Sequence, residues 1–84
     1  MKAETFRQIF SYYLPNEINR ILRAFPEGIV YVKKTRFKKN DELLEKIIIR
    51  FKDLTFQKKL ILLEGGDVIR ISRDKIIYTR HLTH

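Results

Sequence analysis

The apolar positions of this chain change period along its length, and the changes divide it into segments. Residues 3–14 place Phe6, Ile9, Phe10, Tyr13 and Leu14 at helical spacing. Pro15, which cannot continue a helical hydrogen-bond ladder, closes that segment. A second helix begins at Pro15 or Asn16 and carries Ile18, Ile21, Leu22 and Phe25 at i, i+3, i+4 and i+7 before Pro26-Glu27-Gly28 stops it. Ile29-Val30-Tyr31-Val32 is β-branched and aromatic and predicts a short strand leading into a basic loop, Lys33-Lys34-Thr35-Arg36-Phe37-Lys38-Lys39.

Beyond the loop, Asn40 reads as the cap of a third helix. Asp41 and Glu42 lie in its first turn, where negative charge meets the positive end of the helix dipole, and Leu43, Leu44, Ile47, Ile48 and Phe51 form its stripe. Asp53 or Thr55 caps a fourth helix with Phe56, Leu60, Ile61 and Leu63, ended by a left-handed Gly65-Gly66 cap. The last segment switches to strand character: Val68–Ser72 and Lys75–Arg80 flank Arg73-Asp74 as a hairpin. With a two-residue loop, Ile69 pairs with Tyr78 and Ile71 with Ile76, leaving Arg70, Ser72, Lys75 and Ile77 on the opposite face. A competing reading takes Ile47-Ile48-Ile49 and Leu60–Leu63 as strands. The fold is then two N-terminal helices plus a small antiparallel β-barrel, a five-stranded meander from residue 29 onward. The acidic start at 41–42, the i, i+4 pattern and the Gly-Gly stop favour helices, and no clear turn chemistry shows near residue 53.

Helix, strand, helix, short turn, helix and hairpin is the element order of a winged helix-turn-helix domain, which residues 15–82 resemble. The stretch FQKKLILLEGGDVIRISRDKIIYTRHL is similar to the recognition helix, glycine turn and wing of that superfamily. The resemblance implies an α+β fold, a winged helix-turn-helix with an extra N-terminal helix and a C-terminal β-hairpin wing. It also implies DNA binding and a role as a small transcriptional regulator, with the fourth helix in the major groove and the wing and the 33–39 loop on the backbone. Only Gln57, Lys58, Lys59 and Glu64 are polar between residues 56 and 64, so base readout from that helix is sparse.

Composition sets the outer bounds. Eighty-four residues make one domain, 1–84, and 44% hydrophobic with 12% aromatic residues suits a packed core. No cysteine is present, which removes disulfides and thiolate zinc sites. MKAETFRQIF carries too much charge for a signal peptide, and no run approaches the roughly 20 apolar residues of a membrane span. A cytoplasmic protein without a membrane partner is the expectation.

Eighteen Lys and Arg against ten Asp and Glu give a formal charge of +8, a field that attracts polyanions. A Lys- and Ile-rich host composition is the competing explanation of that charge. The candidate nucleic-acid contacts are Lys33, Lys34, Arg36, Lys38 and Lys39, then Gln57, Lys58 and Lys59, then Arg70, Arg73, Lys75 and Arg80. Duplex DNA is the favoured ligand and RNA the alternative, the latter through a small β-rich domain. A protein-interaction or assembly module with a basic docking face is the other class of function. Phe37 reads as an anchor of the basic loop or a stacking residue, and Tyr12, Tyr13, Tyr31 and Tyr78 as core or interface. The first helix packs on its own domain or, through Phe6, Ile9, Phe10 and Tyr13, on a second copy. No enzyme is expected. Gly65-Gly66 lacks the Lys-Ser or Lys-Thr of a phosphate loop, Ser11 and Ser72 lack a matching His, and His81 and His84 lack a carboxylate cluster for a metal. No cofactor is implied.

Overall fold

A computed structural model describes residues 1–82 as two helices laid on one face of an open, five-stranded antiparallel sheet. The elements are α1 (Ala3–Phe10), α2 (Asn16–Ala24), β1 (Ile29–Lys39), β2 (Glu42–Phe51), β3 (Lys59–Leu62), β4 (Val68–Ile71) and β5 (Lys75–His81). Single 3-10 turns at Pro26–Gly28 and Glu64–Gly66 precede β1 and β4. The strand order is β1-β2-β5-β4-β3. The chain therefore leaves β2, crosses the end of the sheet through residues 52–58, and returns from the far edge to place β5 beside β2.

α1 stops at Phe10, earlier than its apolar spacing suggests. Tyr12 donates its backbone N–H back to Ile9, and Pro15 holds the chain extended ahead of α2. The amide of Asn19 donates to the Leu14 carbonyl and fixes the angle between the two helices. Ile9, Leu14, Ile18 and Leu22 then pack on Ile29, Val32, Ile47, Ile49 and Phe51 of the first hairpin and on Ile69, Ile71, Ile76 and Tyr78 beyond it. A bulge near Val30 pairs Ile29 with Phe51 and Tyr31 with Arg50, so Ile29 and Val32 both face the helices.

The expected third and fourth helices are strands, and the winged-helix arrangement built on them is not formed. Asn40 and Asp41 take φ of 52° and 63°, the left-handed conformation of a two-residue primed hairpin turn, and join Lys39 to Glu42 as paired neighbours. The residues read as a helix cap are a β-turn, and the segment 33–39 read as a loop is the outer half of β1. Three successive β-branched residues, Ile47-Ile48-Ile49, then suit a strand sandwiched between β1 and β5. Asp53, at φ 62°, supplies the turn after β2 that the sequence did not reveal. Gly65 and Gly66, at φ 79° and 87°, link β3 to β4 instead of capping a helix. The competing reading of helices plus five antiparallel strands comes closer, except that β1 and β3 do not pair: the sheet stays open and β5 inserts between β2 and β4.

The C-terminal hairpin has the expected register, Ile69 with Tyr78 and Ile71 with Ile76. Arg73-Asp74 is a poor turn sequence, yet the structure uses it. Its two carbonyls accept hydrogen bonds of 2.7 Å each, Arg73 from Phe56 N–H and Asp74 from Phe51 N–H, which ties the turn to the crossing segment and to the end of β2.

Candidate nucleic-acid interface

Side chains alternate across a strand, so the registers above sort every strand residue to one of two faces. The helices cover the face that holds Val32, Ile47, Ile49, Ile69 and Ile76. The other face is uncovered. Across it run Tyr31, Lys33, Thr35, Phe37 and Lys39 of β1, beside Arg50, Ile48, Lys46, Leu44 and Glu42 of β2. Lys75, Ile77, Thr79 and His81 of β5 follow, then Arg70 and Val68 of β4, then Leu60 and Leu62 of β3. The twisted sheet leaves a groove of about 620 Å³ on this face, bounded by Phe37, Lys39, Lys46, Arg70, Thr79 and His81 over a floor that includes Leu44, Val68 and Ile77.

Six cations therefore share one surface: Lys33, Lys39, Lys46, Arg50, Arg70 and Lys75. Arg50 makes an exposed ion pair with Asp74 at 3.5 Å, and among the described residues no salt bridge holds the other five. Lys46 Nζ sits 5.5 Å from the centre of the Phe37 ring, which is half-buried in the groove wall, while Tyr31 is exposed further along the same strand. Cations and aromatic faces thus alternate on one uncovered sheet.

Of the residues singled out in the sequence, Lys33, Lys39, Arg70 and Lys75 lie on this face. Lys34, Arg36 and Lys38 alternate to the helix-side face of β1, and Arg80 lies on the same side of β5. Lys34 sits 5.1 Å over the Tyr12 ring. Arg36 and Arg80 both bind Glu45, whose carboxylate is fully buried: Arg36 Nε donates to Oε2 at 3.1 Å and Arg80 Nε to Oε1 at 2.9 Å. These two guanidiniums are occupied in holding the fold. Gln57 and Lys58 are exposed on the run into β3 and Lys59 is its exposed first residue, none of them on a recognition helix, and Arg73 is exposed in the β4–β5 turn. The three basic stretches do not converge on one surface. The sequence reading missed Lys46 and Arg50, which it had placed on a helix. Tyr31 and Tyr13 are exposed, which removes the core half of the core-or-interface expectation, and Ile9 belongs to the core, so it is not part of any helix surface open to a second copy.

A second polar cluster closes the end of the groove. His81 places Nδ1 3.0 Å from Asp67 Oδ1 and Nε2 3.2 Å from Glu42 Oε2, while its backbone N–H donates to Asp67 at 2.9 Å. Burial pushes the Asp67 carboxyl up, but these bonds and the Tyr78 hydroxyl outweigh it and hold the group below the ordinary aspartate value. Burial likewise pushes Glu45 up, and the Arg36 and Arg80 hydrogen bonds with the charge of Lys34 bring it below the ordinary glutamate value. Burial followed by the Asp67 charge raises the Tyr78 phenol. Among the described residues no group of three or more His, Cys, Asp or Glu is placed to hold a metal ion, and no helix is long and apolar enough to cross a membrane. His84 lies outside the described residues. Compared with protein-family models, curated proteins and solved structures, the chain has no match.

Proposed function

We propose that the protein binds single-stranded nucleic acid across the uncovered face of its sheet. The observation that carries this reading is the alternation, on one surface, of aromatic rings with cations that no salt bridge holds among the described residues: Lys33, Lys39, Lys46, Arg70 and Lys75 around Tyr31 and Phe37. Phosphates are neutralised by such cations with release of counterions, and exposed bases, which a duplex hides in its stack, settle on aromatic faces. Tyr31 and Phe37 are six residues apart on one strand, roughly 20 Å, a span suited to a strand of a few nucleotides. Duplex DNA, the ligand favoured by the sequence, lacks its reading element once residues 57–59 lie outside any helix.

The test is fluorescence-anisotropy titration of labelled single-stranded DNA, single-stranded RNA and duplex DNA at two salt concentrations. Single strands bind more tightly than duplex. Lys46→Ala with Arg70→Ala weakens binding and flattens the salt dependence, by about 0.7 in the slope of log affinity against log salt for each phosphate no longer neutralised. Tyr31→Ala with Phe37→Ala weakens it by about tenfold or more per stacked base while leaving that slope in place. Equal binding of duplex and single strands, with all four substitutions silent, overturns the reading.

A further inference from the structure

We infer that β3 is a homodimer edge, on which a second copy adds its own β3 antiparallel across a two-fold axis. The two free edges of the sheet differ in kind. β1 is guarded by Lys33, Lys34, Arg36, Lys38 and Lys39, the usual defence of an edge against pairing. β3 has no such guard between its ends: Leu60 is 55% and Leu62 74% exposed, and β4 is the only strand that pairs with it among the described residues.

The hydrogen-bond phase of β3 fixes which groups a partner meets. Leu63 N–H donates to the Asp67 carbonyl at 2.8 Å, so in an antiparallel ladder Lys59, Ile61 and Leu63 direct their backbone groups to β4. Leu60 and Leu62 therefore direct theirs outward. Placing the two-fold axis at Ile61 sets Leu60 opposite Leu62 of the second copy, and the outward N–H and C=O groups of both residues then meet in two hydrogen-bonded pairs related by symmetry. The register keeps the helices of both copies on one side of the sheet and gathers four exposed leucines on the other. It also brings Lys58 opposite Glu64 of the second copy, twice. Neither residue has an ion-pair partner among the described residues of its own chain. The four residues of β3 are complementary to themselves in hydrogen bonding and apolar contact, and the flanking Lys58 and Glu64 add charge complementarity at the same register. The inference stands independently of the nucleic-acid reading.

Sedimentation velocity over a wide concentration range measures it, with circular dichroism confirming that each variant is folded. The parent shows a monomer–dimer equilibrium. Leu62→Lys raises the dissociation constant at least tenfold. Lys58→Glu and Glu64→Lys, both on the surface, each raise it several-fold by opposing like charges, and the double charge swap restores it. Amide hydrogen exchange at Leu60 and Leu62 slows as the dimer forms. A parent that stays monomeric at every concentration overturns the inference. So does a dimer indifferent to Leu62→Lys and to the charge swaps but broken by Phe10→Lys, which assigns the contact to α1.

Discussion

The two faces of the sheet are built from the same strands and carry cations in similar number, yet they use them differently. On the helix-side face, Arg36 and Arg80 are held on the buried Glu45 carboxylate and Lys34 lies against Tyr12. On the uncovered face, Lys33, Lys39, Lys46, Arg70 and Lys75 make no salt bridge among the described residues. A count of basic residues does not separate these roles, because alternation along a strand sends neighbours such as Lys33 and Lys34 to opposite sides. Net charge describes attraction at a distance. The register says which face each cation occupies, and the ion pairs say which are held: Arg50 is paired with Asp74 on the uncovered face, while Lys38 on the other face is in no salt bridge among the described residues.

The sharpest way to break the comparison is through the apolar residues of the two faces. Ile49 is fully buried under the helices, whereas Ile77 is half-buried in the floor of the open groove. Ile49→Ala should cost about 3–4 kcal/mol, from lost transfer energy plus the cavity left behind, while Ile77→Ala should cost about 1 kcal/mol. Urea unfolding of both variants measures this. Equal costs would mean that the uncovered face is as closely packed as the other.

Next in size is the contrast between tied and free cations. Arg80→Ala removes one of the two partners of a buried carboxylate, and with Arg36 still in place the expected loss is about 2 kcal/mol, below the 3–5 kcal/mol of a buried pair broken outright. Lys46→Ala, which gives up a cation over an aromatic ring at the groove, should change stability by less than about 1 kcal/mol. A stable Arg80→Ala protein would show that Glu45 draws its stabilisation from elsewhere.

The parts legible in the sequence are those set by local pattern. The two helices appear because their apolar spacing and the prolines agree, and the last hairpin keeps its register because short alternating runs and a two-residue loop leave few other pairings. Residues 40–51 were misread for a physical reason: Asn and Asp serve both helix caps and primed hairpin turns, and the apolar residues of a strand covered on one face also satisfy part of a helical stripe. The run Ile47-Ile48-Ile49 held the discriminating signal. The insertion of β5 beside β2 is a long-range pairing that local pattern does not encode. The candidate surface depends on it. Lys46 and Arg50 join Lys75 and Arg70 only through that pairing, and Glu45 meets Arg80 the same way.

The smallest expected effect is the pH dependence of the two carboxylate clusters, Glu45 on the helix side and Asp67 at the end of the groove. Glu45 and Asp67 both titrate below their ordinary values in the folded chain, whereas in the unfolded chain they titrate at those ordinary values. A depressed folded pKa means that the unfolded state binds protons first as acid is added. The stabilisation is therefore fully present above the unfolded values and fades as the pH falls through the folded ones. Glu45→Gln is isosteric but lacks the charge, so its deficit against the parent should be greatest near neutral pH and narrow on acidification. Asp67→Asn should do the same for the His81 cluster. The change is modest because a protonated Glu45 still accepts hydrogen bonds from the two guanidiniums. Urea unfolding at about pH 7 and about pH 3 measures the gap. A constant gap would mean that the carboxylate charge contributes nothing to holding Arg36 and Arg80 in place, and the division between tied and free cations would then rest on geometry alone.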